Sequence, residues 1–306
     1  MNWIQFFDFL YKQLTRREQD TLRLIRREYE KVVTDLTKEL GGLFVKIKDG
    51  KLSYMDIVAY RDIQRLQQQA VAQANRLGKY NREVIQSLLD DSYSFSYSWM
   101  SFGLEKAIDK TLGNVSPRTP ELLALTQKNK IEKLRLNASL EKSRQKITAD
   151  IQAAISQGLA QGQDLHQMAA EIQRVFTMDY NRALMISETE VHRIREQGTF
   201  DSAQNASNQG VVMVKYWVNM GDERVRKTRK ANHRVLQGQK RALDEPFDLG
   251  NGVTAMIPGK SGTPYNDIRC RCFARYEVVG IKTIGVADGE AALQRQYKKW
   301  QQSKAS

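Results

Sequence analysis

From Leu22 to Leu40 the apolar residues Leu22, Ile25, Tyr29, Val32, Leu36 and Leu40 recur in steps of three and four. That spacing draws one apolar stripe along a long helix. Arg23, Arg26, Arg27, Glu28, Glu30 and Lys31 occupy the other face, and Gly41-Gly42 is expected to end the helix. A second stripe runs through Ile57, Tyr60, Ile63, Leu66, Ala70, Ala74 and Leu77, with Gly78 as its expected stop. Ser53 to Asp56 have the form of a capping box ahead of it. A third apolar stretch covers Val84 to Leu112. Its centre, "SYSFSYSWMSF", alternates like a strand for a few residues. Helical sequence on both sides favours helix there, with small serines that allow close packing.

The linker "GNVSPRTP" (113–120) follows, with two of the five prolines. Thr119-Pro120-Glu121 then reads as N-cap, first-turn proline and acidic first turn. A long helix is expected to about Gln157, a break at "GLAQGQD", a short helix from the Asp164 cap through Phe176, and another from Tyr180 to Asn208. At Gly210 the pattern changes. "VVMVKYWV" is apolar and β-branched, a buried strand by composition. Strand-like pieces recur at Thr254–Ile257 and Phe273–Val278. The expected fold is α+β and mostly α: long helices in the N-terminal two thirds, then a small C-terminal α/β module. The expected units are two helical regions (1–115 and 116–209), the module (210–285) and a tail (286–306) that forms a short, fraying helix.

The formal net charge is +13, a balance that suggests contact with a polyanion. The densest basic segment is 222–241, with eight Lys or Arg against two acidic residues. If helical, it lines Arg226, Lys230 and Arg234 along one face. Arg224, Arg226, Lys227, Arg229, Lys230 and Arg234 are the candidate DNA-contacting residues. Nothing in the segment reads bases, so the expected contact is with phosphates, independent of sequence and sensitive to salt. No run reaches the ~18 apolar residues of a membrane span. The N-terminus lacks the basic start and cleavage pattern of a signal peptide, so synthesis in a cytoplasm is expected.

The two cysteines, Cys270 and Cys272, flank Arg271. On a strand, residues two apart share a face, so both thiols are expected inside and Arg271 outside. The first reading is a pair of small buried apolar groups. The second is zinc, held by Cys270, Cys272 and His233 with Asp222 or Asp267. No cofactor is otherwise expected. His166 and His192 sit in amphipathic helical sequence and read as ordinary surface or boundary residues. Glu188, Glu190, Asp222 and His233 form an imaginable acid–base set, but no spacing enforces it, and no GxSxG, P-loop or HExxH motif is present. Enzyme activity is not expected; the alternative is a metal-dependent nuclease built on His233. Trp217 and Phe247 read as core anchors, and Gly238, Gly250 and Gly252 as left-handed turn positions.

Taken in order, "ISETE", "KYWVNMGDERVR", "HRVLQGQ", "LDEPF" and "IPGKSGTPYNDIRCRC" resemble the phage minor head protein family related to protein F of phage Mu. The matching residues are Thr189, Glu190, Trp217, Asp222, Arg224, Arg226, His233, Gly238, Gln239, Phe247, Pro258, Gly259, Cys270, Arg271 and Cys272. Two positions depart from the family pattern: Glu188 stands where it has Arg, and Arg269 where it has Asn. About four extra residues, roughly a helical turn, also separate Arg226 from His233. The resemblance implies a minor component of a tailed-phage head. Such proteins lie inside the virion and associate with the portal protein. They act in procapsid assembly and in packaging or ejecting double-stranded DNA. Scaffold and major capsid protein are further implied partners. Some relatives carry a toxin domain after this module; 34 residues follow Cys272 here, and no toxin activity is expected. The competing non-enzymatic reading is a nucleic-acid-binding protein unrelated to capsids.

Overall fold

The computed structural model describes residues 2–45, 57–112 and 136–281. Four long helices dominate it: α1 (Trp3–Val45), α2 (Ile57–Ile108), α3 (Leu136–Ala160) and α4 (Leu165–Asn208). The α+β, mostly α class expected from the sequence is the one observed. Helix α2 packs on the other three, and α4 also contacts α1 and α3. The stripe residues Ile25, Tyr29, Val32, Leu36 and Leu40 are buried in this core, with Ile63, Leu66, Ala70, Ala74 and Leu77 of α2. The serine-aromatic segment is helical, as the flanking sequence implied.

Three expected breaks do not occur. Helix α1 runs through Gly41-Gly42 to Val45. A glycine ends a helix by taking a left-handed conformation, and neither does so. Helix α2 runs through Gly78, where an added Cβ would lie 3.1 Å from the Arg144 side chain. That glycine marks a close approach of α3, not a stop. Asp164 caps α4 through a reciprocal capping box with Gln167, yet the helix continues past Phe176 without interruption. Within that expected gap, half-buried Asp179 accepts from Tyr29 Oη at 2.6 Å and from Ser143. The capping box at 53–56, the linker at 113–120 with its helix start, and the tail at 286–306 lie outside the described residues.

The ends of α1, α2 and α4 form a second core with the C-terminal module. Phe7, Leu10 and Leu14 of α1, Met100 and Leu104 of α2, and Ala203 of α4 are buried with Trp217, Phe247 and Tyr276. The closeness of α1 and α2 here depends on Gly103, since a Cβ would lie 2.5 Å from the Phe6 ring. The central strand is β1 (Val211–Val218), antiparallel to both β2 (Lys240–Ala242) and β5 (Phe273–Ile281). Strands β3 (Phe247–Asp248) and β4 (Thr254–Ala255) pair beside it, and a single turn, α5 (Pro264–Asp267), precedes the cysteines. Strand β1 alternates buried and half-buried residues, and its inward set includes Lys215.

The basic segment does not make the conditional helix. Residues 222–239 are turns pinned by an isolated bridge between Lys227 and Asn232 and by backbone bonds between Trp217 and Gly238 and Gln239. Arg226 therefore does not share a helical face with Lys230 and Arg234. The cysteines also sit differently from expectation, in extended chain just ahead of β5 rather than within it.

Candidate functional site

The motif residues converge where α4, the 222–239 turns and the approach to β5 meet. Thr189 Oγ1 donates to Met185 O at 2.7 Å within α4 and accepts from the Arg269 N–H at 3.1 Å. That single hydroxyl ties the helix to the cysteine segment. Glu190 and Arg193, both buried, form an ion pair at 2.6 Å. Trp217 lies fully inside the module, its ring edge-on to His233 at 5.4 Å and to Phe247 at 5.3 Å.

Arg226 donates to the carbonyls of Asn266, at 3.0 Å, and Ile268. This holds the 266–268 segment against the turns, and it is structural work that removes Arg226 from the exposed basic set. Arg224, Lys227, Arg229, Lys230 and Arg234 remain exposed. Asp222 pairs with Arg271, which is half-buried. The Arg271 guanidinium beside it, hydrogen-bonded to the carboxylate, holds Asp222 below the usual carboxylate range.

Cys270 and Cys272 are both buried and both free. Their sulfurs lie 3.7 and 3.5 Å from His233 Nδ1. His233 Nε2 meets Asn266 Oδ1 at 3.0 Å, and the Asn266 amide donates to Thr263 Oγ1 at 2.9 Å. The hydrogen bond from the Cys272 thiol holds the Cys270 thiol well below its usual range, and Cys272 is pushed up by the same bond. Neither aspartate considered as a further metal ligand is free. Asp222 is exposed and engaged by Arg271, and Asp267 accepts from Ser261 N, Ser261 Oγ and Gly262 N at 2.7 to 3.0 Å.

His192 is buried, contrary to the surface or boundary position expected for it; His166 is exposed. Burial lowers the His192 pKa, against an opposing hydrogen bond with the Cys270 thiol. An added Cβ on Gly259, at φ 79°, would sit 2.8 Å from His192 Cδ2, so Pro258-Gly259 gives the imidazole its space. A cavity of about 220 Å³ opens beside His192 and Cys270, walled by Tyr11, Glu18 and Arg195 among others. His192 was legible in one respect: with Thr189 and Glu196 it falls at i, i+3 and i+7, one face of a helix.

The two departures from the family pattern answer each other. Glu188 and Arg269 form an ion pair at 2.7 Å. Arg269 adopts φ 54°, a left-handed conformation that asparagine takes more readily than arginine. Three further buried residues had no role assigned from the sequence. Lys215 Nζ is buried and donates to Leu243 O and Met256 O, both at 2.9 Å, and burial lowers its pKa to about 8. Glu196 is buried, accepts from Tyr11 and Ala274, and is raised to about 7 by burial. Asn266 orients His233. A polar residue inside an apolar run, as at Lys215, was the only sequence signal for any of them.

The helical bundle thus carries a module in which Thr189, His233 and the cysteines are drawn together. Residues 149–275 match the family model described as Phage Mu protein F like protein. The chain is also 26% identical to the minor head protein GP7 of Bacillus phage SPP1, over 96% of its own length and 97% of that protein. The chain is thus similar to phage minor head proteins along nearly its whole length. It is 28% identical to the NAD(+)–arginine ADP-ribosyltransferase EFV of Enterococcus faecalis across 54% of its length, but spans only 33% of that protein. No solved structure matches the chain. Among the described residues, no helix is long and apolar enough to cross a membrane.

Proposed function

We propose that this minor head protein docks on the portal through its helical bundle, inside the phage head, and contacts double-stranded DNA through the exposed basic turns of 222–241. It acts in procapsid assembly and in packaging or delivering the genome. The observation that carries the reading is similarity to a minor head protein along nearly the whole of both chains. The net charge of +13 supports the DNA contact, as does the exposure of Arg224, Lys227, Arg229, Lys230 and Arg234 on one stretch of turns. These groups present charge without a shape for base readout, so the contact is with phosphates.

The nuclease alternative needs His233 within reach of substrate. The imidazole is 1% exposed, enclosed by Trp217, Asn266 and two thiols, which speaks against it as a general base. Co-expression with the portal protein of the same phage, followed by nuclease treatment and co-purification, tests the proposal. A nuclease-resistant complex is the expected result. DNA binding without portal binding would demote the portal role in favour of a free nucleic-acid-binding protein.

A further inference from the structure

We propose that Cys270, Cys272 and His233 hold a thiolate-preferring divalent cation, zinc foremost.

Geometry carries the three-residue core. The candidate ligand atoms of the three side chains lie within 4.8 Å of one another, and all three residues are buried. Zinc bonds of about 2.3 Å to sulfur and about 2.0 to 2.1 Å to nitrogen imply tetrahedral S···N edges of about 3.5 to 3.6 Å. The sulfurs of Cys272 and Cys270 lie 3.5 and 3.7 Å from His233 Nδ1. The ligand atoms thus already stand near the corners of such a site.

The surroundings fix the chemistry of the imidazole. Asn266 spends its amide on Thr263, so its carbonyl oxygen faces His233 Nε2. Nε2 must then carry the hydrogen, and Nδ1 turns a lone pair toward both sulfurs. An acceptor on the far side of a ligating histidine is the usual means of orienting it.

His192, 3% exposed beside Cys270, does not complete the set: Arg195 Nη2 donates to its Nδ1 at 3.0 Å, which puts the imidazole hydrogen on Nε2. Two thiolates and a divalent ion sum to zero charge, which suits a buried site, and binding releases the thiol protons. Two sulfur ligands and an imidazole favour zinc over harder ions. The ion would join the basic turns to the approach to β5, two segments otherwise linked by hydrogen bonds and the Asp222–Arg271 ion pair. Its expected role is to staple the module, independent of the role in the head.

The full chain, purified without chelator, is analysed for metal by mass spectrometry, and the metal-stripped chain is titrated with Co²⁺. About one zinc per chain is expected, with a thiolate-to-cobalt charge-transfer band and the strong visible absorption of tetrahedral cobalt. Stripping should lower Tm and zinc should restore it. Cys270→Ser with Cys272→Ser should abolish the charge-transfer band. His233→Ala should keep the band and weaken binding by about tenfold or more. A metal-free chain whose Tm ignores both zinc and chelator overturns the proposal, as does undiminished binding in the double cysteine variant. Unchanged affinity in His233→Ala overturns the histidine ligand. If the cysteine variants do not fold, the metal content and cobalt spectrum of the unmodified chain decide.

Discussion

Glu196 of α4 accepts the backbone N–H of Ala274 at 2.9 Å, so a carboxylate from the helical bundle closes the start of the last strand. Its other oxygen takes the Tyr11 hydroxyl from α1. One buried acid therefore joins the first helix, the fourth helix and the sheet. Burial raises its pKa from 4.5 to about 7. The folded chain then holds a proton between those values that the unfolded chain releases. Its stabilising contribution is full below about pH 4.5 and is lost as pH rises through about 7. Glu196→Gln cannot ionise, so its stability relative to the unmodified chain should improve across that window. Urea midpoints at several pH values check this; a pH-independent difference would refute it.

Gly198 sets how closely α4 approaches α2. A methyl group there would lie 2.3 Å from Ser96 Oγ and 2.8 Å from the Tyr93 carbonyl oxygen. Gly198→Ala should destabilise the chain by about 1 to 3 kcal/mol, through overpacking. Adding Ser96→Gly should recover only part of the loss, because the Tyr93 backbone cannot retreat. Thermal melts of the single and double variants distinguish this from a pure side-chain clash.

The basic turns should divide into two behaviours. Lys227 and Lys230 are exposed, so replacing both by Ala should lower the slope of log K against log salt by about 2 and leave Tm nearly unchanged. Arg226→Ala removes the donors to Asn266 O and Ile268 O, so it should lower Tm. DNA binding measured over a salt series, beside melting curves, checks both.

The pair Glu188–Arg269 should be replaceable by the family's own residues. Both side chains are partly exposed, and such a pair is worth about 0 to 1 kcal/mol. Arg269→Asn gives up that pair and gains a residue suited to φ 54°. Its net effect should stay within about 1 kcal/mol. Glu188→Arg alone places two arginines together and should cost more than the double variant. A double-mutant cycle measures the difference.

The buried ion pair of Glu190 and Arg193 should be far more sensitive. Glu190→Ala leaves a guanidinium that is only 6% exposed without its carboxylate, at an expected cost of about 3 to 5 kcal/mol. A loss below about 1 kcal/mol in denaturant unfolding would contradict this.

Periodicity determined the helices, because a residue's place on an apolar stripe depends only on its near neighbours. The Leu22 stripe, the strand at Val211–Val218 and the cap at Asp164 were legible for that reason. Gly41-Gly42 has no neighbour within 4 Å among the described residues and simply stays helical. Gly78 misled, since a glycine that ends a helix and one that admits a neighbouring helix are the same letter. What distinguishes them is the approach of Arg144, 66 residues further along the chain than Gly78. The ordered motif likewise pointed to a family resemblance while leaving each residue's work open. Only the tertiary structure turned Arg226 from a DNA candidate into a clamp on two carbonyls, and His192 from a surface residue into a buried neighbour of Cys270. Both outcomes depend on partners at least 40 residues away in the chain, and local pattern carries no information about pairing at that distance.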